Sequence, residues 1–443
     1  MPAGGPDSRV PISAMTRRQL AAGVAGAGAL RAARRKPNVI LILADDLGFG
    51  DLGCYGSKTN RTPHLDRLAA DGLRFTNHYS PSPVCSPARA GLLTGLAPDH
   101  TGVTGVLREE HDAAGGLSLQ SPTMADHFRR RGYRTALIGK WHLGMSEPFR
   151  PMRRGFDSFW GFLNGVIDYN THVSTGGGWR GRRTTFEGAE PAVWAGYFPD
   201  LLAGQAVRFI ESNRAEPYFL YVAHPLPHLP LQAPEKWIEP FRGMQPDRAV
   251  YAAMVACLDA AVGAIREALE RRGQWDRTIL LFASDNGWAK QVTPAFAPLG
   301  SNGPLRGGKY ELYEGGIRAP CLLRWPGVTR PGDVTASPSW LCDWVPTLAG
   351  HATADGIDLR DVAAGGSRGR NRALFWRFED KLVKTPLSYA VRQGKWKLLI
   401  VGGQRRLFDL EADESESADV AAANPDIAAR LERRLRAWVE RLP

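Results

Sequence analysis

The sequence has 443 residues, of which 43% are hydrophobic and 23% charged. This composition excludes disordered and fibrous proteins and provides enough apolar residues for one large and one smaller domain. The five cysteines are too sparse for a disulfide scaffold and show no paired spacing typical of zinc sites. The net charge of +11 would favour a nucleic-acid partner only if it were clustered on a folded surface.

Much of this charge lies in residues 1–36, where seven basic residues and one acidic residue give +6 and leave +5 for the rest of the chain. The segment 16–20 (TRRQL), followed by a short apolar run, resembles a twin-arginine export signal. A disordered basic tail is the alternative. The leader predicts an exported protein, periplasmic or secreted, and removes the main argument for a nucleic-acid partner. Because no later apolar run reaches about 18 residues, no membrane-spanning segment is expected in the mature chain.

After the leader, patterns typical of strands and helices alternate, which predicts an α/β fold with a mostly parallel sheet flanked by helices over 37–350. Apolar runs predict strands at 39–44, 135–138, 218–223 and 278–283. A Ser or Thr followed by Pro predicts helix starts at Thr62, Ser86 and Ser121, and a longer helix is expected over about 247–272.

The composition then changes. Residues 351–372 are rich in Gly, Ala, Asp and Arg and are predicted to form a linker to a C-terminal subdomain over 373–443. The predicted elements of this subdomain are antiparallel strands within 389–400 and 406–410 and a final helix opened by Asn424. Apolar residues recur along that helix at spacings of three and four, so one face should pack on the small sheet or on the main domain.

Reactive side chains follow the carboxyl ends of all four predicted strands. They are Asp45 and Asp46, Lys140 and His142, His224 and His228, and Asp285 and Asn286. Ligands of open parallel sheets bind beyond this edge, so the four strands predict one polar site. An ordinary turn or cap would account for any single one of these residues, but less well for all of them together.

The oxygen-bearing members of this set predict a metal site. Carboxylate and amide oxygens are hard ligands, which suit Ca²⁺ or Mg²⁺ better than zinc. Asp45 and Asp46 would repel each other if buried, and a divalent cation would remove that cost while polarising an anionic substrate. Lys140 and Lys309 would then neutralise the outer oxygens of a tetrahedral anion.

Cys85 lies just before the helix predicted from Ser86, where backbone N–H groups and the helix dipole favour negative charge. Arg89 is four residues further along the same helical face, so its guanidinium can reach towards position 85. These features describe an activated thiolate or an anion pocket. A buried structural cysteine is the alternative.

The segment 85–95 (CSPARAGLLTG) resembles the motif of type I sulfatases, formylglycine-dependent arylsulfatases of the alkaline-phosphatase-like superfamily, in which the cysteine becomes formylglycine. Four further segments, spread over almost the whole chain after the leader, resemble other sulfatase motifs: 139–144, 227–234, 284–287 and 305–318. A weaker resemblance of 155–172 is to the arylsulfatase B branch.

The resemblance implies an alkaline-phosphatase-like domain with a small C-terminal antiparallel sheet and helix. It also implies a Ca²⁺ ion, with Mg²⁺ less favoured, and a maturation enzyme that generates the formylglycine. The implied metal ligands are Asp45, Asp46, Asp285, Asn286 and the modified Cys85. In the family's chemistry the aldehyde hydrate at position 85 attacks sulfur and releases the alcohol. Its second hydroxyl then expels sulfate.

Four further side chains have catalytic roles in this reading. Arg89 would orient the hydrate, and His142 would assist its deprotonation during sulfate release. Lys140 and Lys309 would hold the sulfate oxygens.

Two histidines compete for the acid that protonates the leaving oxygen. His228, acting with Lys309, is preferred because its flanking residues match the family pattern, whereas His224 lies outside that pattern. Asp168 and His172 are predicted to line the substrate pocket, and ordinary loop polar residues are the alternative reading.

These observations predict a sulfatase that acts on an aryl or carbohydrate sulfate. A phosphonate monoester or phosphodiester hydrolase of the same superfamily is the first alternative. A sulfated-glycan-binding protein that has lost catalysis is the second, and it is disfavoured because every expected catalytic side chain is present.

Overall fold

The computed structural model describes Met1 and residues 36–108, 115–176, 179–213, 216–289 and 299–443. Within these ranges, Asn38–Pro443 forms one compact unit. The twin-arginine motif predicted at 16–20 lies outside the described residues.

Strands and helices alternate along the described part of the chain. The strands are β1 (Asn38–Ala44), β2 (Leu73–Phe75), β3 (His78–Tyr79), β4 (Arg134–Lys140), β5 (Ser158–Phe162), β6 (Thr185–Glu187), β7 (Glu190–Pro191), β8 (Tyr218–Ala223), β9 (Thr278–Ser284), β10 (Cys321–Arg324), β11 (Asp333–Thr335), β12 (Ser339–Trp340), β13 (Ala373–Asp380), β14 (Thr385–Gln393), β15 (Trp396–Val401) and β16 (Gln404–Asp409). The α-helices are α1 (Pro63–Asp71), α2 (Cys85–Thr94), α3 (Pro98–Thr101), α4 (Met124–Arg130), α5 (Phe198–Ser212), α6 (Glu235–Ile238), α7 (Pro246–Arg271), α8 (Glu314–Ile317), α9 (Arg360–Ala363) and α10 (Pro425–Val439).

The main sheet has ten strands in the order β11-β2-β10-β9-β1-β8-β4-β5-β6-β7. Its five central strands, β9, β1, β8, β4 and β5, run parallel, whereas β10, β6 and β7 run antiparallel to their neighbours. This arrangement confirms the predicted α/β fold with a mostly parallel sheet. All four strands predicted before the C-terminal subdomain are present, with ends that differ by at most two residues.

The apolar run of β1 shows why the centre of the sheet is buried on both faces. Side chains alternate along a strand, so a continuous apolar run serves two layers. Val39, Leu41 and Leu43 pack in the layer that contains α2 and α4. Ile40 and Ile42 pack in the opposite layer, with α1, α5 and α7.

Two helix starts differ from the sequence prediction. The helix α2 begins at Cys85 with Val84 as its N-cap, so Ser86 lies inside the helix. The start of α4 is fixed by a capping box between Thr123 and Asp126, two residues beyond the predicted Ser121. In both helices the N-cap, Val84 or Thr123, is therefore a different residue from the Ser that precedes Pro.

The helix α1 begins after Thr62 as predicted, but a distant residue caps it. The N–H groups of His64 and Leu65 donate to the two carboxylate oxygens of Asp259 on α7, at 3.1 and 2.7 Å. Among the described residues, α7 is long and apolar enough to cross a membrane, yet 72% of its most apolar window is buried within the protein. The helix therefore serves as a core element of the fold.

The four strands β13–β16 form an antiparallel sheet. The stretch predicted as strand over 389–400 is two strands, because a turn after Gln393 separates β14 from β15, and β13 was not predicted. Leu431, Leu435 and Trp438 of α10 pack on one face of this sheet. The other face packs through Trp376 against residues of the main domain. The segment 351–372, which precedes this sheet in the chain and was predicted to be a linker, contains α9. Leu359 of this segment is buried in the main core.

Candidate active site

The candidate site lies at the carboxyl ends of four adjacent strands, β9, β1, β8 and β4. Ala44 pairs with Ser284, and Ala223 pairs with both Leu43 and Gly139, so the strands end in register. The next residues along them are Asp285, Asp45, His224 and Lys140. The fold therefore brings together at one edge the residues that the sequence places after the four strands.

Three buried carboxylates and three buried cations form the base of the site. Lys140 Nζ donates to Asp45 Oδ2 at 2.6 Å, and Lys309 Nζ donates to Asp46 Oδ2 at 2.8 Å. Arg89 Nη2 donates to an oxygen of Asp285 at 2.8 Å and lies 3.3 Å from Asp45 Oδ1. The six charges balance, although burial and the charge of Asp45 still raise the pKa of Asp285 well above its usual range.

Several oxygens in this cluster are available to a cation. The buried Asp45 Oδ1 and Asn286 Oδ1 accept no hydrogen bond within the described residues. Asn286 Nδ2 donates to Asp46 Oδ1 at 2.7 Å, and Asp46 has a left-handed backbone with φ 62° that turns the carboxylate into the cluster. Ligand atoms of Asp45, Asp46 and His228 all lie within 4.8 Å of one another. This donor set fits a hard divalent cation.

The side chain at position 85 faces a histidine that is able to act as a base. Cys85 Sγ lies 3.3 Å from His142 Nδ1, and His142 Nε2 lies 2.9 Å from the carbonyl oxygen of Leu107. A carbonyl oxygen only accepts, so Nε2 carries the proton. Burial, Lys140 and Arg89 hold the pKa of His142 well below its usual range. The ring is therefore neutral, and its Nδ1 lone pair is directed at position 85, where it accepts from the Cys85 thiol.

The two candidate acids differ in their surroundings. His228 Nε2 lies 3.6 Å from Asp46 Oδ2, and its Nδ1 donates to the carbonyl oxygen of Leu229 at 2.6 Å. His224 is fully buried, and its Nδ1 accepts from the N–H of Leu226. Burial and the nearby Lys309 lower the pKa of His228 to about 4, and a bound anion would oppose the effect of Lys309. The geometry favours His228 as the group that faces a substrate.

Asp168 and His172 belong to a loop beside the site. Asp168 Oδ1 accepts from the N–H groups of Asn170 and Thr171, and its Oδ2 accepts from Gln232 Nε2 at 2.6 Å. The buried ring of His172 packs near Phe198 and lies within hydrogen-bonding distance of the carbonyl oxygen of Gly196. These contacts favour a structural role for His172 and an indirect role for Asp168.

Sequence reasoning missed the part that Tyr169 plays. Its hydroxyl contacts the carbonyl oxygens of Pro225 and His228 at 2.9 and 2.8 Å, and its N–H donates to Gln232 Oε1 at 2.9 Å. Asp168 fixes the other end of the Gln232 amide. Tyr169 thereby braces the loop that carries His228. No pattern in a single sequence predicts a contact between residues this far apart in the chain. The prediction that Asp168 lines the pocket did, however, fall in the same loop as Tyr169.

In the sulfatase reaction that the sequence motifs predict, we expect Tyr169→Phe to lower kcat about tenfold for an alkyl sulfate, whose leaving oxygen needs a proton, and less than about twofold for 4-nitrophenyl sulfate, whose leaving group does not. Steady-state kinetics on both esters measures this difference. Tyr218→Phe removes another buried tyrosine hydroxyl, one that bonds Gln274 away from the site, and serves as the control. Equal losses on both esters for Tyr169→Phe would show that the hydroxyl only stabilises the fold.

The fold and the site together define a class of enzyme. The sulfatase family model matches residues 37–354. The chain belongs to this family, within the alkaline-phosphatase-like superfamily, and is a sulfuric ester hydrolase.

Its relatives extend over most of its length. The chain is 36% identical to arylsulfatase A of Homo sapiens over 85% of this chain and 76% of that protein. It is 32% identical to arylsulfatase J of Mus musculus over 90% of this chain and 75% of that protein. The crystal structure of Ps i-CgsB in complex with k-i-k-neocarrahexaose superimposes with a TM-score of 0.84 and 31% identity, and covers 91% of this chain and 93% of that chain.

Proposed function

We propose that this hydrolase cleaves aryl or carbohydrate sulfate esters to an alcohol and inorganic sulfate, with a formylglycine made from Cys85 as nucleophile and Ca²⁺ as cofactor. One observation carries the proposal. The Cys85 side chain opens α2 at 3.3 Å from the neutral His142, beside buried cations that suit an anionic ester.

Formylglycine has the chemistry that this position needs, because its hydrate has one hydroxyl to attack sulfur and another to release sulfate, whereas a thiol has neither. The chain's own residues would prepare both steps. His142 Nδ1 faces position 85 and accepts a proton there. Lys140 and Lys309, now bonded to Asp45 and Asp46, would donate to sulfate oxygens. A bound anion would favour the protonated imidazolium of His228, which together with Lys309 would give a proton to the leaving oxygen from the Asp46 side of the site.

Asp45, Asp46, Asp285 and Asn286 would hold the cation together with the modified residue at position 85. The oxygens of Asp45 and Asn286 that accept no hydrogen bond support this assignment, as does the mutual repulsion of the buried carboxylates. A bound Ca²⁺ would polarise the sulfate ester as a Lewis acid. With the protein charges balanced at three against three, the added charge gives the site a net attraction for sulfate.

We expect added Ca²⁺ to raise the melting temperature of EGTA-treated protein, since a ligand at 100 times its Kd stabilises the folded state by about 2.7 kcal/mol. Differential scanning calorimetry with Ca²⁺ or Mg²⁺ measures the shift. Asp45→Asn should abolish the shift, relative to its own metal-free form. The control Asp276→Asn changes a carboxylate whose side chain is 93% exposed and should retain it. No shift with either metal, or an equal shift in Asp45→Asn, would contradict the assigned site.

The formylglycine is tested directly by mass spectrometry of the 75–89 peptide from active protein made in its native host. The aldehyde form should be present, and it should form a hydrazone with a hydrazide reagent. An unmodified thiol in fully active protein would overturn the proposed nucleophile. The same preparation should hydrolyse 4-nitrophenyl sulfate.

The alternative chemistry is phosphonate ester hydrolysis. The phosphonate monoester hydrolase of Agrobacterium radiobacter has the same fold, with a TM-score of 0.64 and 22% identity, over 91% of this chain and 95% of that chain. The sulfatase relatives are more similar in sequence and favour sulfate. Faster turnover of an aryl phosphonate than of the matching aryl sulfate would reverse this choice.

The proposed function includes export of the protein. The leader motif at 16–20 favours the twin-arginine route to the periplasm or the exterior, and a formylglycine-generating enzyme would act on Cys85 in the host. Relatives support a sulfated small molecule or glycan as substrate. Ps i-CgsB, which is 31% identical to this chain, is in complex with k-i-k-neocarrahexaose in its crystal structure.

A further inference from the structure

A pocket of about 210 Å³ lies between the segment that follows Lys309 and the hairpin that joins β13 to β14. The segment contributes Tyr310 and Tyr313 to its walls, and the hairpin contributes Val383, Lys384 and Pro386. The main domain and the C-terminal subdomain therefore form this pocket jointly. The catalytic roles assigned above do not use it.

The pocket shares a wall with the candidate active site. Lys309 Nζ, which bonds Asp46, lies 5.7 Å from the centre of the Tyr310 ring. The N–H of Tyr310 donates to the carbonyl oxygen of Pro83 at 3.0 Å, two residues before Cys85. A substrate with its sulfate at Lys309 would therefore have its next unit close to Tyr310.

The hairpin is fixed in place over this side of the site. Arg108 Nη2 donates to Asp380 Oδ2 at 2.7 Å, and Asp380 Oδ1 accepts from the N–H groups of Leu382 and Val383. Arg108 directly follows Leu107, whose carbonyl oxygen contacts His142. The position of Lys384 is thus coupled to the residues that surround position 85.

The walls have the chemistry of a site for a charged sugar. Tyr310 and Pro386 offer flat apolar surface, and Thr385 offers a hydroxyl. Lys384 is exposed, and within the described residues no hydrogen bond or ion pair engages its ammonium group. The carboxylate of Glu311, on the wall formed by the segment after Lys309, accepts from the N–H of Gly308 at 3.0 Å within its own turn and keeps its negative charge. The hairpin side of the pocket therefore carries a cation, Lys384, that is placed to attract an anionic group of a ligand.

We infer that this pocket binds the sugar unit adjacent to the sulfated one, and that Lys384 pairs with a carboxylate or second sulfate on that unit. The inference rests on the proposed function and narrows the substrate class to anionic sulfated oligosaccharides. An uncharged aryl group would leave Lys384 without a partner.

The test measures inhibition of 4-nitrophenyl sulfate hydrolysis by sulfated tetrasaccharides from chondroitin sulfate and carrageenan, and by the corresponding monosaccharide sulfates. Inhibition of this reaction can be measured whether or not the oligosaccharides are themselves hydrolysed. In the wild type, at least one tetrasaccharide should bind more tightly than its monosaccharide. Lys384→Ala should raise the inhibition constant of that tetrasaccharide about fivefold, the effect of a partly exposed ion pair. Thr385→Trp, which fills the pocket, should abolish the tighter binding of the tetrasaccharide relative to its monosaccharide.

Lys381→Ala changes an exposed lysine in the same hairpin turn and should leave every constant unchanged. Lys381→Ala should hydrolyse 4-nitrophenyl sulfate at the wild-type rate, and the inhibition constants of Lys384→Ala and Thr385→Trp are measured against the uninhibited rate of each variant. The pocket assignment is overturned if no tetrasaccharide binds more tightly than its monosaccharide. It is also overturned if Lys384→Ala and Thr385→Trp both bind the tetrasaccharide more tightly than the monosaccharide by the same factor as the wild type. Failure of the wild type to hydrolyse 4-nitrophenyl sulfate would instead contradict the proposed function.

Discussion

Cys85→Ala should lower kcat/KM for 4-nitrophenyl sulfate by about 10⁴-fold or more, because no other group in the site can act as the attacking nucleophile in the proposed reaction. The loss should be mainly in kcat, since Lys140 and Lys309, which would hold the sulfate, and the other four metal ligands remain. Cys85 is buried at the start of α2, and alanine fits there with the loss of one sulfur atom. Activity assays on folded protein, checked by circular dichroism, measure the effect.

The control for this prediction is Cys342→Ala. That cysteine is also buried and free, and its thiol bonds the carbonyl oxygen of Leu96 away from the reacting centre. It should retain activity within about twofold, with a small loss of stability. If Cys85→Ala hydrolysed sulfate esters as well as the wild type, position 85 would not be the nucleophile. The sulfate ester would then have to be attacked from another residue or by water.

Much of the site could be predicted because parallel strands end together. Asp45, Lys140, His228 and Asp285 are separated by up to 240 residues, yet each follows an apolar run that reads as a buried strand. The topology of a parallel sheet then places all four at one edge without any knowledge of side-chain contacts. The position of Cys85 at a helix start was also accessible, although the helix begins at Cys85 itself.

The pairing of these residues could not be predicted. Arg89 was expected to reach towards position 85 within its own helix, and that spacing did not predict the bond that Arg89 makes to Asp285, 196 residues away. The contacts of Tyr169 with the His228 loop and of Arg108 with Asp380 likewise depend on how loops pack. Sequence spacing carries no information on such contacts, because helix and strand periodicities determine faces and not partners across the fold.

Lys397→Met is expected to lower the free energy of unfolding by about 3–5 kcal/mol, the cost of leaving buried carboxylates without their cation. Lys397 Nζ lies 3.0 Å from Glu314 Oε1 and 2.9 Å from Glu416 Oε1, and all three side chains are fully buried. Glu314 opens α8, a few residues after Lys309, whereas Lys397 lies on β15. The ion pairs therefore join the C-terminal sheet to the segment that carries a catalytic lysine. Urea unfolding measures the loss.

The pH dependence of that loss distinguishes buried charge from lost packing. Burial, opposed by Lys397, raises the pKa of Glu416 from 4.5 to about 7, so the folded state binds this proton more tightly than the unfolded state does. Protonation as the pH falls through this window therefore favours folding. Without Lys397 the effect should grow, and the variant should recover part of its deficit between pH 7 and pH 5.

Two further variants separate these contributions. The double variant Lys397→Met/Glu416→Gln should be more stable than Lys397→Met alone, because it removes one uncompensated charge together with the cation. Lys395→Ala removes a lysine that is 41% exposed, two residues earlier in the chain, and should cost less than about 1 kcal/mol. A deficit in Lys397→Met that is independent of pH and unchanged by Glu416→Gln would assign Lys397 to packing alone. A deficit that shrinks at low pH and on the Glu416→Gln change would show that buried ion pairs join the C-terminal sheet to the segment that carries Lys309.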